Sequence, residues 1–157
     1  MDCYILPCEY MGFDTTSIAS SDTFAALQTG VVEGLAGSTP AGAYLNYRDI
    51  IDYYYVYQMS PEVTQIMISE KTLAKLSPED QKTIVDICRQ ECANSVNYAK
   101  EEDEKYLKLM EDNGIKIVRF SDEEIEMFAE AVRTNVWPNL AKTYGEDFIN
   151  ELLKLYK

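Results

Sequence analysis

A stripe of apolar residues recurs at steps of three, four or seven along the middle of the chain. Its members are Ile84, Cys88, Cys92, Val96, Ala99, Tyr106 and Met110. The stretch Ser77-Pro78-Glu79-Asp80 carries the signals of a helix start, and no helix breaker follows before Asn113-Gly114. These patterns predict one helix over residues 78–112, about 50 Å long. Residues 100–105 are polar on every face, so this helix crosses solvent or runs along a boundary between packed bodies.

A shorter helix, a turn and a strand are predicted between Ser20 and Gly34. Ser20 or Ser21 can accept a backbone N–H bond at the helix start, because both are good N-cap residues. Phe24 and Leu27 share one face, and Gly30 can end the helix in a left-handed conformation. Residues 31–32 are both valine and predict a short buried strand. Together these elements make half of a βαβ unit.

The remaining periodicities alternate between strand and helix, which predicts an α/β fold. Strands are predicted at residues 13–19, 53–57, 63–69 and 115–120, and helices at 43–52, 71–76, 121–137 and 148–156. Residues 1–11 have no period and are expected to be irregular or briefly extended. The helix at 121 opens with Ser121-Asp122-Glu123-Glu124, the pattern of a capping box.

The amino-acid composition and net charge argue against several classes of function. The chain has 157 residues, a length typical of one domain, and a formal net charge of −13. Such a negative surface repels phosphate backbones and anionic lipids, which argues against nucleic-acid and membrane-surface partners. The chain has no histidine, which weakens hydrolase and zinc-enzyme interpretations. The first nine residues lack the pattern of a signal peptide, and no window is apolar enough for a membrane span.

Cysteines and carboxylates suggest neither a metal site nor a cofactor. Cys3 and Cys8 are five residues apart, and Cys88 and Cys92 are four apart, so neither pair has the spacing of a zinc knuckle. The second pair falls on the apolar stripe and is expected to pack in the core. A disulfide between Cys3 and Cys8 remains open. The acidic run 101–104 is expected to be a solvated helix face, and the aromatic run 53–57 to be sheet core.

Two separated motifs carry a family resemblance. Residues 26–34 read A-L-Q-T-G-V-V-E-G, and residues 76–81 read L-S-P-E-D-Q. Both resemble segments of the solute receptors of TRAP (tripartite ATP-independent periplasmic) transporters, with Glu33 where that family usually has Asp. The resemblance implies an α/β fold that is the C-terminal portion of a bilobal periplasmic-binding-protein-like structure. Residues 1–157 would then be a single incomplete unit without the N-terminal lobe, and the long helix would run along both lobes.

The function implied by the resemblance is binding and release without catalysis. The intact receptor would be periplasmic or extracytoplasmic, capture a small organic acid between its lobes, and pass it to the TRAP membrane permease subunits. From this chain the expected solute contacts are Gly37, Ser38, Thr39 and Tyr44, although Gly37-Ser38 departs from the acidic or amide residue common in the family. The family's carboxylate-binding arginine is assigned to none of Arg48, Arg89, Arg119 and Arg133.

Two other interpretations remain. An ordinary flexible turn is the alternative for residues 37–39. The whole chain is alternatively a ligand-free fragment that self-associates through exposed apolar surface, as a homodimer or a domain-swapped oligomer. That interpretation expects the long helix or the N-terminal segment to be exchanged between copies. An acid-dependent enzyme is a third possibility, although no carboxylate spacing nominates a catalytic group.

Overall fold

The computed structural model describes residues 2–59, 63 and 65–156, and within them it contains eight helices and two strands. In chain order these are α1 (Asp2–Tyr10), α2 (Ser20–Gln28), α3 (Pro40–Tyr47), β1 (Tyr53–Val56), α4 (Glu70–Leu73), α5 (Pro78–Asp112), β2 (Lys116–Arg119), α6 (Asp122–Asn135), α7 (Trp137–Tyr144) and α8 (Glu146–Leu155). The predicted α/β fold class is confirmed. None of these helices is both long and apolar enough to cross a bilayer.

The two strands form a parallel pair, with Tyr53 opposite Lys116 and Val56 opposite Arg119. A parallel pair requires a crossover connection, and the long helix α5 belongs to this one. On one face of the pair, α3 and α5 enclose a small core. Its buried members are Ala43, Leu107, Met110 and Ile115, with Tyr54, Val56 and Ile117 packed against them. The other face carries Tyr53 and Tyr55, which are about half exposed.

Helix α5 has the predicted bounds. The Ser77 hydroxyl accepts a hydrogen bond from the Asp80 N–H at 3.1 Å, and Pro78 occupies the first turn. Asn113 follows the last helical residue, and Gly114 adopts a φ of 88°. Local cap and breaker chemistry therefore sets both ends of this 35-residue helix.

The apolar stripe of α5 is buried only near the C-terminal end of the helix. Met110 in the stripe and Leu107 beside it are the buried residues of α5, whereas residues 89–101 are exposed on every side. Cys92 is exposed and Val96 is 61% exposed, so the expected core packing is wrong for Cys92. The reason is geometric: α3 and β2, the main contacts of α5, lie beside its last turns. The middle of the stripe, at Cys92, Val96 and Ala99, is an apolar surface that no element in the described part of the chain covers.

Four predictions of local structure are wrong. Residues 2–10 form α1, whereas residues 13–19 and 31–32 form no strand. The described residues of the predicted strand 63–69 are also irregular, and Met67 is 83% exposed; residue 64 lies outside the described part. A β-favouring sequence needs a neighbouring strand to supply hydrogen-bond partners. The described chain offers these segments no such neighbour, because its sheet contains only β1 and β2.

The predicted helix at Ser20 exists, but its details differ. Neither Ser20 nor Ser21 caps it, since the N-cap position falls on Ala19 and no side chain bonds there. The buried face carries Thr23 and Ala26, so Phe24 points away from the interior and is partly exposed. The helix ends as expected at Gly30, whose φ is 73°.

The later helices follow their sequence signals closely. The Ser121 N–H donates to Glu124 at 2.8 Å and the Glu124 N–H donates back to Ser121 at 3.2 Å, which confirms the capping box. Helix α6 ends at Asn135 before the proline at position 138, and α7 ends before Gly145. Helix α3 begins three residues earlier than predicted, because Thr39 caps it and Pro40 occupies its first turn.

Candidate functional site

The candidate loop, defined as residues 35–39, joins the region after α2 to the start of α3. Thr39 is its last residue and the N-cap of α3. The Thr39 hydroxyl accepts a hydrogen bond from the Gly42 N–H at 3.1 Å, and the Thr39 carbonyl accepts from the Ala43 N–H at 2.8 Å. The end of the candidate loop is therefore anchored to a regular helix.

Two tyrosines flank the candidate loop. The Tyr54 hydroxyl, on β1, donates to the Ser38 carbonyl at 2.9 Å. On another side, the ring of Tyr4 from α1 lies close to Gly37: a Cβ added at Gly37 would be 3.2 Å from the Tyr4 Cε1 atom. Gly37 also has a φ of 90°, which L side chains rarely adopt. The loop is thus held by specific contacts to α1 and β1.

Tyr44, the fourth predicted contact, lies one turn into α3 and is directed at the core. Its ring centroid is 5.8 Å from that of Tyr106 on α5, and the Arg48 guanidinium carbon is 5.3 Å from its ring centre. Tyr44 also packs against the buried cluster around Met110. The structure therefore brings Gly37, Ser38 and Thr39 together with Tyr4 and Tyr54, and places Tyr44 behind them.

Charge is absent from this part of the chain. Residues 34–47 contain no Asp, Glu, Lys or Arg. Arg48 follows at the far end of α3, where it donates to the carbonyls of Tyr44 and Leu45, at 3.4 Å each. A solute group at the candidate loop would meet hydroxyls, peptide groups and aromatic rings.

The other arginines are committed elsewhere or point into solvent. Arg119 makes a two-pronged bond to Glu104 at 3.2 and 3.0 Å, and that hydrogen bond raises the pKa of Arg119. Arg133 donates to Glu126 at 2.7 Å, which likewise raises its pKa. Arg89 is exposed on α5. Each carboxylate-bonded arginine is therefore neutralised locally within the described structure.

Cysteines and acidic groups do not assemble into another site. Cys8 is buried, which raises its thiol pKa, whereas Cys3 is exposed, and both are free thiols. The open possibility of a Cys3–Cys8 disulfide is thus not realised in the structure. Within residues 2–59, 63 and 65–156, no three Cys, Asp or Glu side chains converge as metal ligands. Shallow depressions along α6 and α8 are separate from the candidate loop.

A family profile, DctP, described as bacterial extracellular solute-binding protein, family 7, matches residues 4–143. The match covers most of the chain and includes the candidate loop. The chain belongs to this solute-binding family.

A solved structure shares the fold of this family 7 chain. It is a TRAP periplasmic solute-binding protein from Sulfitobacter sp. NAS-14.1, with bound β-D-galacturonate. The superposition has a TM-score of 0.71 at 23% sequence identity, and it covers 96% of this chain and 50% of that one. The chain therefore spans half the length of that structure and has part of its fold. No curated protein matches the sequence.

Sequence reasoning missed Tyr4 and Tyr54 as neighbours of the loop in this family 7 chain. A signal existed for Tyr54, because strand alternation places it on the face opposite Tyr53 and Tyr55. No sequence signal existed for Tyr4, which was placed in an irregular segment. Its approach to Gly37 depends on how α1 packs.

We expect Tyr54→Phe to lower the free energy of unfolding by about 1 kcal/mol, because it removes the hydroxyl that donates to Ser38. The matched control is Tyr55→Phe, on the half-exposed face of the same strand, which is expected to change stability by less than about 0.5 kcal/mol. Urea denaturation followed by circular dichroism measures both. Equal effects of the two substitutions would contradict the role of the Tyr54 hydroxyl.

Proposed function

We propose that this chain is the C-terminal portion of a TRAP-type solute receptor, and that residues 1–157 form a single incomplete unit completed by a first lobe. The intact receptor captures a small organic acid outside the cytoplasm, closes around it, and delivers it to TRAP membrane permease subunits. Its work is binding and release. The family is one of solute-binding proteins and not a class of enzymes.

The observation that carries this proposal is the difference in burial between the two parts of α5. Its last turns pack against this lobe through Leu107 and Met110, whereas residues 89–101 have no packed side. A helix of 35 residues is about 50 Å long, which exceeds what the small core around Met110 can cover. A second body along the open length would bury the rest of the stripe.

The exposed segment before α4 supports the same arrangement. Val63, Ile66 and Met67 have β-favouring or apolar side chains that face solvent. An apolar segment without a partner is unstable in water and indicates a covering surface in the complete protein. We propose that this segment becomes a strand in the first lobe, as its sequence predicts.

For the solute contacts we propose Gly37, Ser38 and Thr39, with Tyr44 supporting them from behind. The candidate loop is clamped by Tyr4 and Tyr54, which holds its backbone in one conformation before ligand arrives. The related Sulfitobacter protein is described with bound β-D-galacturonate, a carboxylate. A small carboxylate is therefore the proposed solute class for this receptor.

The experiment is a thermal-shift panel of organic acids, including D-galacturonate and succinate, on the longest natural form of the protein. An acid present at one hundred times its dissociation constant is expected to add about 2.7 kcal/mol of stability. Calorimetry then gives the dissociation constant for each acid that stabilises. If no carboxylate in the panel raises the melting temperature, the receptor proposal is wrong.

A second candidate is supported by the same open apolar surface. We propose that the isolated chain self-associates, with α5 or the N-terminal segment exchanged or packed between two copies. Ile87, Val96 and Tyr98 are each more than half exposed on α5. Burying them against a second copy would remove apolar area from water.

Val96→Glu tests this candidate by sedimentation equilibrium at micromolar concentration. The wild-type chain is expected to sediment as a dimer or larger species, and Val96→Glu is expected to weaken the association at least tenfold. The control is Val31→Glu, which changes a 74% exposed valine away from α5. A monomeric wild-type chain, or equal effects of the two substitutions, would contradict self-association through α5.

A further inference from the structure

The surface formed by the candidate loop with Tyr4 and Tyr54 is called the wall below. It has no charged side chain, which is unusual for a protein with 26% charged residues. Residues 34–47 form an uninterrupted run without a charged side chain, and it includes the whole loop and α3. Tyr4 and Tyr54 flank the loop from other elements, and neither is an acidic or basic residue. No cation of the described chain is placed by a contact against Gly37, Ser38 or Thr39.

The start of α3 does not supply the missing positive charge. Pro40 has no N–H, the Gly42 N–H donates to the Thr39 hydroxyl, and the Ala43 N–H donates to the Thr39 carbonyl. Only the Ala41 N–H of the first turn remains for a ligand. A carboxylate at this helix end would therefore find far fewer donors than an anion-binding helix terminus provides.

Two cations, at the end of α3 and on the strand β2, are also unsuited to the wall. Arg48 lies at the other end of α3, about 13 Å along the helix from Thr39, and is bonded to carbonyls there. Lys116 donates to the Tyr53 hydroxyl on the outer face of the strand pair. A carboxylate that left water for this wall would lose hydration without a compensating charge.

The groups that do face the loop suit neutral oxygen atoms and C–H surfaces. Backbone N–H groups of residues 33–39 donate to no acceptor in the described structure, so they are free to bond a ligand hydroxyl. The half-buried Ser38 hydroxyl donates to the Thr39 carbonyl at 3.4 Å, and its oxygen has lone pairs that can accept a hydrogen bond from a ligand hydroxyl. The Tyr4 ring adds an aromatic surface beside Gly37. Polyhydroxylated carbon skeletons present both features.

We propose that this wall binds the uncharged, hydroxyl-bearing part of the solute, so that the receptor takes a polyhydroxylated monocarboxylate and rejects a dicarboxylate. The inference rests on the proposed receptor function and deepens it by naming the substrate class. The single carboxylate of the solute binds outside this wall. A second carboxylate would be forced against Ser38 and the tyrosines, where no charge receives it.

The test compares acids that have the same carbon skeleton and differ in the number of carboxylates. D-Gluconate and D-glucuronate each carry one carboxylate, whereas D-glucarate has the same carbon skeleton with two. Isothermal titration of the longest natural form is expected to give at least tenfold tighter binding for one of the monocarboxylates than for D-glucarate, and the same preference over succinate. Tighter binding of D-glucarate or succinate overturns the inference while it supports the receptor function. Binding of no acid at all overturns both.

A substitution that introduces a positive charge tests whether the wall causes the preference for a monocarboxylate. Ser38→Lys places a cation in the wall, and the preference for D-gluconate or D-glucuronate over D-glucarate is expected to fall at least tenfold. Ser21→Lys, at an exposed position of α2, is expected to leave the ratio unchanged. The ratio of two affinities is insensitive to a general loss of folded protein. An unchanged ratio in Ser38→Lys, alongside a wild-type monocarboxylate preference, overturns the assignment to this wall.

Discussion

Met110→Ala is expected to lower the free energy of unfolding by about 3 kcal/mol. Met110 is the one large side chain with no exposed surface in the part of the chain that the structure describes. It lies at the centre of the cluster formed with Ala43, Leu107 and Ile115. Truncation removes buried apolar area and leaves a cavity in the packed cluster between α3 and α5.

The loss of unfolding free energy in Met110→Ala is expected to be large because this core is small. The same cluster anchors α5 to the lobe, so its weakening releases the helix from β2 as well. Urea denaturation monitored by circular dichroism at 222 nm gives the free-energy difference.

Met127→Ala is the control for this prediction. Met127 lies on α6 and is 61% exposed, so the same chemical change is expected to alter stability by less than about 0.5 kcal/mol. If Met110→Ala costs less than about 1 kcal/mol, or no more than the control, the assignment of the core to this cluster is wrong.

Gly37→Ala is expected to lower the free energy of unfolding by about 2 kcal/mol, through two separable effects. Its φ of 90° disfavours any residue with a Cβ, at about 1 kcal/mol. The new Cβ would also lie 3.2 Å from the Tyr4 ring, so α1 or the candidate loop must shift. Because the loop is the proposed solute wall, solute affinity is expected to fall at least tenfold in the complete receptor.

Two other glycines separate these effects. Gly30→Ala also places a Cβ at positive φ, 73°, but meets no atom within 4 Å, so it is expected to cost about 1 kcal/mol. Gly34→Ala has neither a positive φ nor a close neighbour, and it is expected to be nearly neutral. Thermal and urea denaturation of the three variants measure the series. Equal costs for Gly37→Ala and Gly30→Ala would show that the Tyr4 contact does not constrain the loop.

Sequence patterns were most accurate where local chemistry decides the structure. The bounds of α5 follow from Ser77-Pro78 at one end and Asn113-Gly114 at the other, and the start of α6 follows from the Ser121 capping box. Each of these signals is satisfied within a few residues of chain, so the rest of the fold cannot change it much. The two family motifs are local in the same sense, and the family match agrees with them.

Predictions failed where the structure depends on a distant partner. Valines at 31–32 and the segment 63–69 have strand-forming sequences, yet their described residues are not strands, because β1 and β2 pair only with each other. The helix α1 was missed since its residues show no apolar period. The contacts of its residues Tyr4 and Cys8 depend on tertiary packing, which no local pattern encodes.

The sequence alone therefore determined both ends of α5, the start of α6, the two central strands, the α/β class and the family, because periodicity, capping chemistry and short motifs act over a few residues. Only the tertiary structure decided which end of α5 is buried and which face of α2 points inward. It also decided that Tyr4 and Tyr54 contact the candidate loop. Those outcomes depend on which surfaces meet. Residues 89–101 carry stripe members at Cys92, Val96 and Ala99 but have no surface to meet in the described chain, so their sequence specifies a helix without specifying its burial.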